Sequence, residues 1–210
     1  MTLFAKEPFR SLHRQLARFL GDREGLAAIE FAMILPLMLV TLFGMIGATS
    51  AISIDRKVTL ISRTLSDLTS QGEKVQDSDI QNFFAIGNAM LVPYSASANA
   101  FSGGPLRMTI TEIYVDPLNG TPRVQWSKGD DQRSVGSTVT TMPADLIGRD
   151  ASGKVLPNQY FILSEVSYSY APAILPGVAS VPLSESTYTR PRVTTTRPCV
   201  LYGTTTCPTS

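Results

Sequence analysis

The stretch GLAAIEFAMILPLMLVTLFGMIGATSAISI, residues 25–54, decides the fold. From Phe31 to Ile54 no residue is charged, a run of 24 positions rich in Leu, Ile, Met, Ala, Val and Phe. At about 1.5 Å per residue, a helix of that length is roughly 36 Å long, enough to cross the hydrocarbon core of a bilayer with some tilt. The apolar region of a secretory signal is shorter, about 7–15 residues. A helix inside a soluble core rarely runs so far without a charge. Residues 26–54 therefore read as a transmembrane helix in a lipid bilayer. Pro36 removes one backbone donor and crowds the carbonyl of Ala32, which predicts a kink and not a break. Gly44 and Gly47 thin the helix wall, but they do not form GxxxG.

Working toward the N-terminus, residues 1–25 form a basic leader. Phe9, Leu12, Leu16 and Phe19 recur at helical spacing while Arg10, Arg14 and Arg18 fall on another face. Two readings stand: an amphipathic helix lying on the inner membrane surface, or a plain basic leader that only sets orientation. Cations flank both ends of the apolar run, with Arg14, Arg18 and Arg23 before it and Arg56, Lys57, Arg63 and Lys74 after it. The positive-inside rule thus leaves topology open, while a cysteine pair in the C-terminal region favours export of that end. Cys199 and Cys207 are the only cysteines, as suits one local disulfide in an oxidising compartment; the alternative is two thiols in a reducing cytosol. A net charge of +1 supplies no field for nucleic acid. The single histidine, His13, lies ahead of the anchor, so no His-based catalytic triad or multi-histidine metal site is available to the rest of the chain.

The junction between leader and anchor reads Gly25-Leu26-Ala27-Ala28-Ile29-Glu30-Phe31. A carboxylate in an apolar helix costs roughly 2.5–3.5 kcal/mol at the bilayer centre and less near the interface, so Glu30 is expected to have a partner or to reach water at headgroup level. A cut after Gly25 would free the α-amine of Leu26 one helical turn from Glu30. In a bundle of such helices, the carboxylate of one chain could then neutralise the amine of another. The segment resembles the processing site of type IVb prepilins and pseudopilins of the Tad/Flp pilus system, in which a glycine precedes the cut, the fifth mature residue is glutamate and the sixth is aromatic. The continuation Glu30-Phe31-Ala32-Met33-Ile34-Leu35-Pro36-Leu37 is similar to the start of TadE-like proteins, proline included. The resemblance is close from Gly25 to Leu42 and looser to Gln71. It implies a minor pseudopilin, with Gly25 and Leu26 as the processing site of a prepilin peptidase and Glu30 and Phe31 as assembly residues. It further implies other pilins or pseudopilins and an inner-membrane assembly platform as partners. Flp major pilins are much shorter than the 185 residues from 26 to 210, a length that suits TadE or TadF instead. TadG-like relatives can carry a von Willebrand-type domain, but the metal motif such a domain needs is missing after Asp67.

Beyond the anchor, Val58, Ile61, Leu65 and Leu68 continue an apolar stripe, so the helix is expected to reach Gln71, with Gly72 ending it. A second helix is expected from Asp77 or Ser78, burying Ile80, Phe83, Phe84 and Met90 and stopping before Pro93. These form a helical region at 55–94, followed by a small, polar linker at 95–105. Residues 106–193 read as an antiparallel β head. Leu106, Met108, Ile110 and Tyr114 alternate in one strand, which turns through 116–120 into Arg123–Ser127, with Val124 and Trp126 taken as one face. Gln159–Ala171 alternates again, and Ser184–Val193 is expected as a fourth strand. Residues 194–210, rich in Thr and Pro, are expected to bury little apolar surface. The fold class that follows is α+β: a long N-terminal transmembrane helix continuing into a helix packed on an antiparallel sheet, as in pilins.

No P-loop, GxGxxG or CxxC is present. Asp130 and Asp131 are adjacent and read as a solvated turn, so neither enzyme activity nor a cofactor is expected. Two readings compete with the pseudopilin: an uncleaved single-pass periplasmic binding or adhesion module, and a membrane-tethered hydrolase using carboxylates alone.

Overall fold

The computed structural model describes residues 24–94, 104–171, 180–192, 199–204 and 206–207. The leader's periodic pattern and most of the 95–105 linker lie outside them. Helix α1, Glu24–Ser70, spans the boundary between two compact units, Met1–Ala48 and Thr49–Ser210.

In the first unit, α1 is one uninterrupted helix with Pro36 inside it. Its large apolar side chains from Leu26 to Ile46 are exposed, except Phe43, which is half-buried. By length and composition α1 qualifies as a candidate membrane span.

In the second unit, Ile54, Val58, Ile61 and Leu65 of α1 are buried, spaced to fall on one helical face. Beyond Leu65 the stripe changes chemistry. Leu68 is half-buried, while Ser66, Thr69 and Ser70 are fully buried. After β1, Lys74–Val75, comes α2, Asp77–Leu91. Asp79 Oδ2 accepts a hydrogen bond from the Gln76 N–H at 2.9 Å, a reciprocal restraint at the helix start. Ile80, Phe84, Gly87 and Leu91 of α2 are buried, and Phe83 and Met90 pack at the margin of the same core.

The sheet comprises β2, Leu106–Val115; β3, Pro122–Gly129; β4, Gln159–Tyr170; and β5, Val181–Thr189. Their order is β3-β2-β4-β5, with every neighbour antiparallel. Because side chains alternate along a strand, Met108 and Ile110 face α1 and α2, while Ile113 and Val115 face the other way into a second cluster. In β3 the register shifts beside Gln125, so Val124 joins that second cluster whereas Trp126 joins the helix-side core; the two do not share a face. The second cluster is closed by Val139, Met142 and Val155 from the long β3–β4 connection, for which the sequence suggested no element.

Two further expectations need correction. The fourth strand is Val181–Thr189, not Ser184–Val193. Its span follows its pairing with β4, from Tyr170↔Val181 to Ile162↔Thr189, and Pro182 is accommodated because β5 is an edge strand. The C-terminal region also buries apolar surface, since Cys199 and Val200 are 2% and 1% exposed. There β6, Leu201–Tyr202, pairs in parallel with β1, and a disulfide joins Cys199 to Cys207. A few residues suffice for this burial because they dock on a core that already exists and need not build one of their own.

Candidate functional site

The residues singled out at the junction all lie in the first turns of α1. Leu26 and Glu30 are four apart and so share one face. Leu26 is 60% exposed and Phe31 58%, and Glu30 is exposed as well. The ion pairs among the described residues are Arg107–Asp131, Lys128–Asp77, Arg133–Glu165 and Arg192–Asp67, none of which involves Glu30. The junction thus presents a carboxylate among apolar side chains that are open to a partner or to lipid. Pro36 lies beyond it without ending the helix.

The head offers little catalytic geometry. Asp130 and Asp131 diverge: Asp130 Oδ2 accepts the Met108 N–H at 2.9 Å, whereas Asp131 holds Arg107 in a two-pronged ion pair. On the outer sheet face, Arg133 pairs with Glu165 through both nitrogens of its fork, at 3.1 and 2.6 Å. That pairing raises the Arg133 pKa further, led by the hydrogen bonds to Glu165. These two ion pairs, with Thr109, Ser167, Ser184 and Ser186, line an open polar groove of about 340 Å³. Each arginine there is matched by a carboxylate, and Glu185 on β5 adds a further acidic side chain to the lining. Among the described residues, no group of three His, Cys, Asp or Glu side chains could hold a metal ion.

One ionisable group escaped the sequence reading. Glu112 on β2 is fully buried, on the same face as Met108 and Ile110. Its Oε1 accepts the Val200 N–H at 2.6 Å, and its Oε2 is buried without a hydrogen-bond partner. Burial pushes its pKa up to about 8, against the opposing pull of the Val200 N–H and the Trp126 indole. The signal was its parity, since position 112 continues the alternating series of Leu106, Met108, Ile110 and Tyr114.

The fold and junction together define a class: a chain with one candidate membrane helix among the described residues, whose distal part packs into an α+β head. Residues 25–63 match the family described as TadE-like protein, so the chain is similar to that family over those residues. The match takes in Gly25, Leu26, Glu30, Phe31 and Pro36 and stops inside α1, short of the sheet. No curated protein and no solved structure matches the chain.

Proposed function

We propose that the protein is a minor pseudopilin of Tad/Flp pilus assembly, cut after Gly25 by a prepilin peptidase. In this reading residues 1–25 are the removed leader, and residues 26–54 anchor the chain in the bacterial inner membrane. The N-terminus is cytoplasmic and the head periplasmic. The mature helix packs against those of other pilins or pseudopilins on the assembly platform. The observation that carries the reading is the placement of Glu30 on the same face as Leu26, one turn away, in a segment that matches TadE-like proteins. After cleavage, the α-amine of Leu26 supplies the cation that a carboxylate on an apolar helix needs, between neighbouring chains whose lipid surroundings strengthen the attraction.

Intact-mass spectrometry of the chain purified from its native membrane tests the cut. A polypeptide beginning at Leu26 supports the reading; one beginning at Met1 in piliated cells refutes it and favours an uncleaved binding or adhesion module. Gly25→Ala is expected to leave the leader attached. Glu30→Ala is expected to be processed normally yet to lower the number of pili. Normal piliation in the Glu30 variant would remove the proposed pairing while leaving the cleavage intact.

A further inference from the structure

Among the described residues, the bonds that hold the C-terminal hook closed by the Cys199–Cys207 disulfide include one to a buried carboxyl group. Val200 N–H donates to Glu112 Oε1 at 2.6 Å, and the Trp126 indole N–H donates to the Val200 carbonyl at 2.9 Å. The Tyr202 ring lies 5.4 Å from that of Trp126, centroid to centroid. Leu201 N–H bonds the Glu73 carbonyl at 3.0 Å, and the Gln125 side chain donates to the Thr206 carbonyl at 2.8 Å. Glu112 itself sits on β2, between β3 and β4, and cannot move without breaking the sheet. The hook, with a strand of two residues, is the lighter cover.

We infer that the hook is a releasable clasp, fastened while Glu112 carries a proton and loosened when that proton leaves. A proton on Oε2 removes the charge from a carboxyl oxygen that has no partner in the interior. An ionised Glu112 needs water, and lifting the hook is the shortest way to admit it. Release also uncovers Trp126, whose indole N–H and ring are covered by Val200 and Tyr202.

The ionisable groups on the surrounding elements do not supply a competing switch at neutral pH. Tyr160 on β4 and Tyr114 on β2 are both raised, chiefly by burial, and stay neutral. Tyr202 of the hook, Lys128 of β3 and Asp77 of α2 form their own cluster. In it the Tyr202 hydroxyl donates to Asp77 and Lys128 Nζ lies 4.7 Å from the Tyr202 ring centre. Both Tyr202 and Lys128 are raised, the first chiefly by burial and the second by its contact with Tyr202. Lys74 of β1, beside Leu201 in register, and Glu73 before it complete the set.

With the seated group at about 8 and the freed group near 4.5, the seated state holds the extra proton. Seating is therefore strongest below the lower value, weakens by up to about tenfold per pH unit between the two, and levels off above the higher.

The test is amide hydrogen exchange on the full oxidised chain in detergent micelles from pH 5 to 9, expressed as protection factors. Val200 protection is expected to fall on the order of 100-fold or more between pH 5 and 8 and then level off, while Ile110 and Ile162 hold. In Glu112→Gln, Val200 protection should no longer depend on pH. A flat wild-type profile overturns the clasp, and so does an equal decline in the Gln variant. Loss of Ile110 and Ile162 protection together with Val200 also overturns it, because the whole head would then be opening. If the Gln variant does not fold, the wild-type profile with its two core amides decides alone.

Discussion

Gly129 closes β3 where the backbone comes nearest to β2. Its φ is +135°, and a Cβ built there would meet the Met108 carbonyl oxygen at 2.1 Å and the Thr109 Cα at 2.6 Å. Neither atom can yield easily, because β2 is paired on both sides, with β3 and with β4. The next residue is tied to the same spot: Asp130 N–H donates to Met108 O at 3.0 Å, and Met108 N–H donates to Asp130 Oδ2 at 2.9 Å. Gly129→Ala must therefore hold an unfavourable dihedral, which costs about 1–3 kcal/mol, and push the end of β3 away, losing those two hydrogen bonds at about 1 kcal/mol each. The expected loss is about 3–5 kcal/mol, a large part of the stability of an ordinary domain. Gly136 provides the control. Its φ is +80° and a Cβ there meets nothing within 4 Å, so Gly136→Ala should cost only the backbone term, about 1–2 kcal/mol. Urea unfolding of the full chain in micelles can be followed by the emission of Trp126, the only tryptophan. A Gly129 variant within about 1 kcal/mol of the Gly136 variant would refute the close-approach argument.

Three further predictions concern how α1 and the hook are held. Ser62 Oγ lies 3.0 Å from the Ser164 carbonyl and 2.9 Å from Thr187 Oγ1, so Ser62→Ala should cost about 1 kcal/mol in the same urea assay. Ser66, one turn on, buries a hydroxyl without a partner, so Ser66→Ala should be neutral or stabilising, helped by alanine's helix propensity. Cys207→Ser opens the disulfide but leaves buried Cys199 in place. It should lower Val200 and Leu201 exchange protection at pH 5 by about 2–3 kcal/mol on the chain-entropy account, with Ile162 unaffected.

Where local pattern and environment agree, the fold was readable. The charge-free run from Phe31 to Ile54 needs no tertiary context to be a candidate span, because its length and composition suffice. Helix α2 is bracketed by acids at its start and by Pro93 just beyond its end, and β4 alternates from Ser164 to Tyr170. The misreadings fall where another element decides. Pro182 speaks against a strand on its own, and only the pairing of β5 with β4 admits it. Likewise the apolar residues Val139, Met142 and Val155 have no period of their own in the sequence. They gain meaning from the second face of the sheet that they cover.

The two carboxylates that stand out, Glu30 and Glu112, show why one was legible and the other was not. Glu30 breaks an apolar run, so its cost is visible in one dimension. Glu112 occupies an inward position in a strand where Met108, Ile110 and Tyr114 already declare the face, and polar residues in strands usually mark the outward side. Reading it as inward requires trusting the alternation over the residue type. The same parity places Thr109 and Thr111 on the outer face, where Thr111 Oγ1 and Ser127 Oγ meet at 2.8 Å. What makes Glu112 tolerable is then supplied from far along the chain, by a Val200 N–H that no local pattern could announce. An acid at an inward strand position thus implies a donor arriving from elsewhere, and here that donor comes from the region the sequence marked as least able to dock.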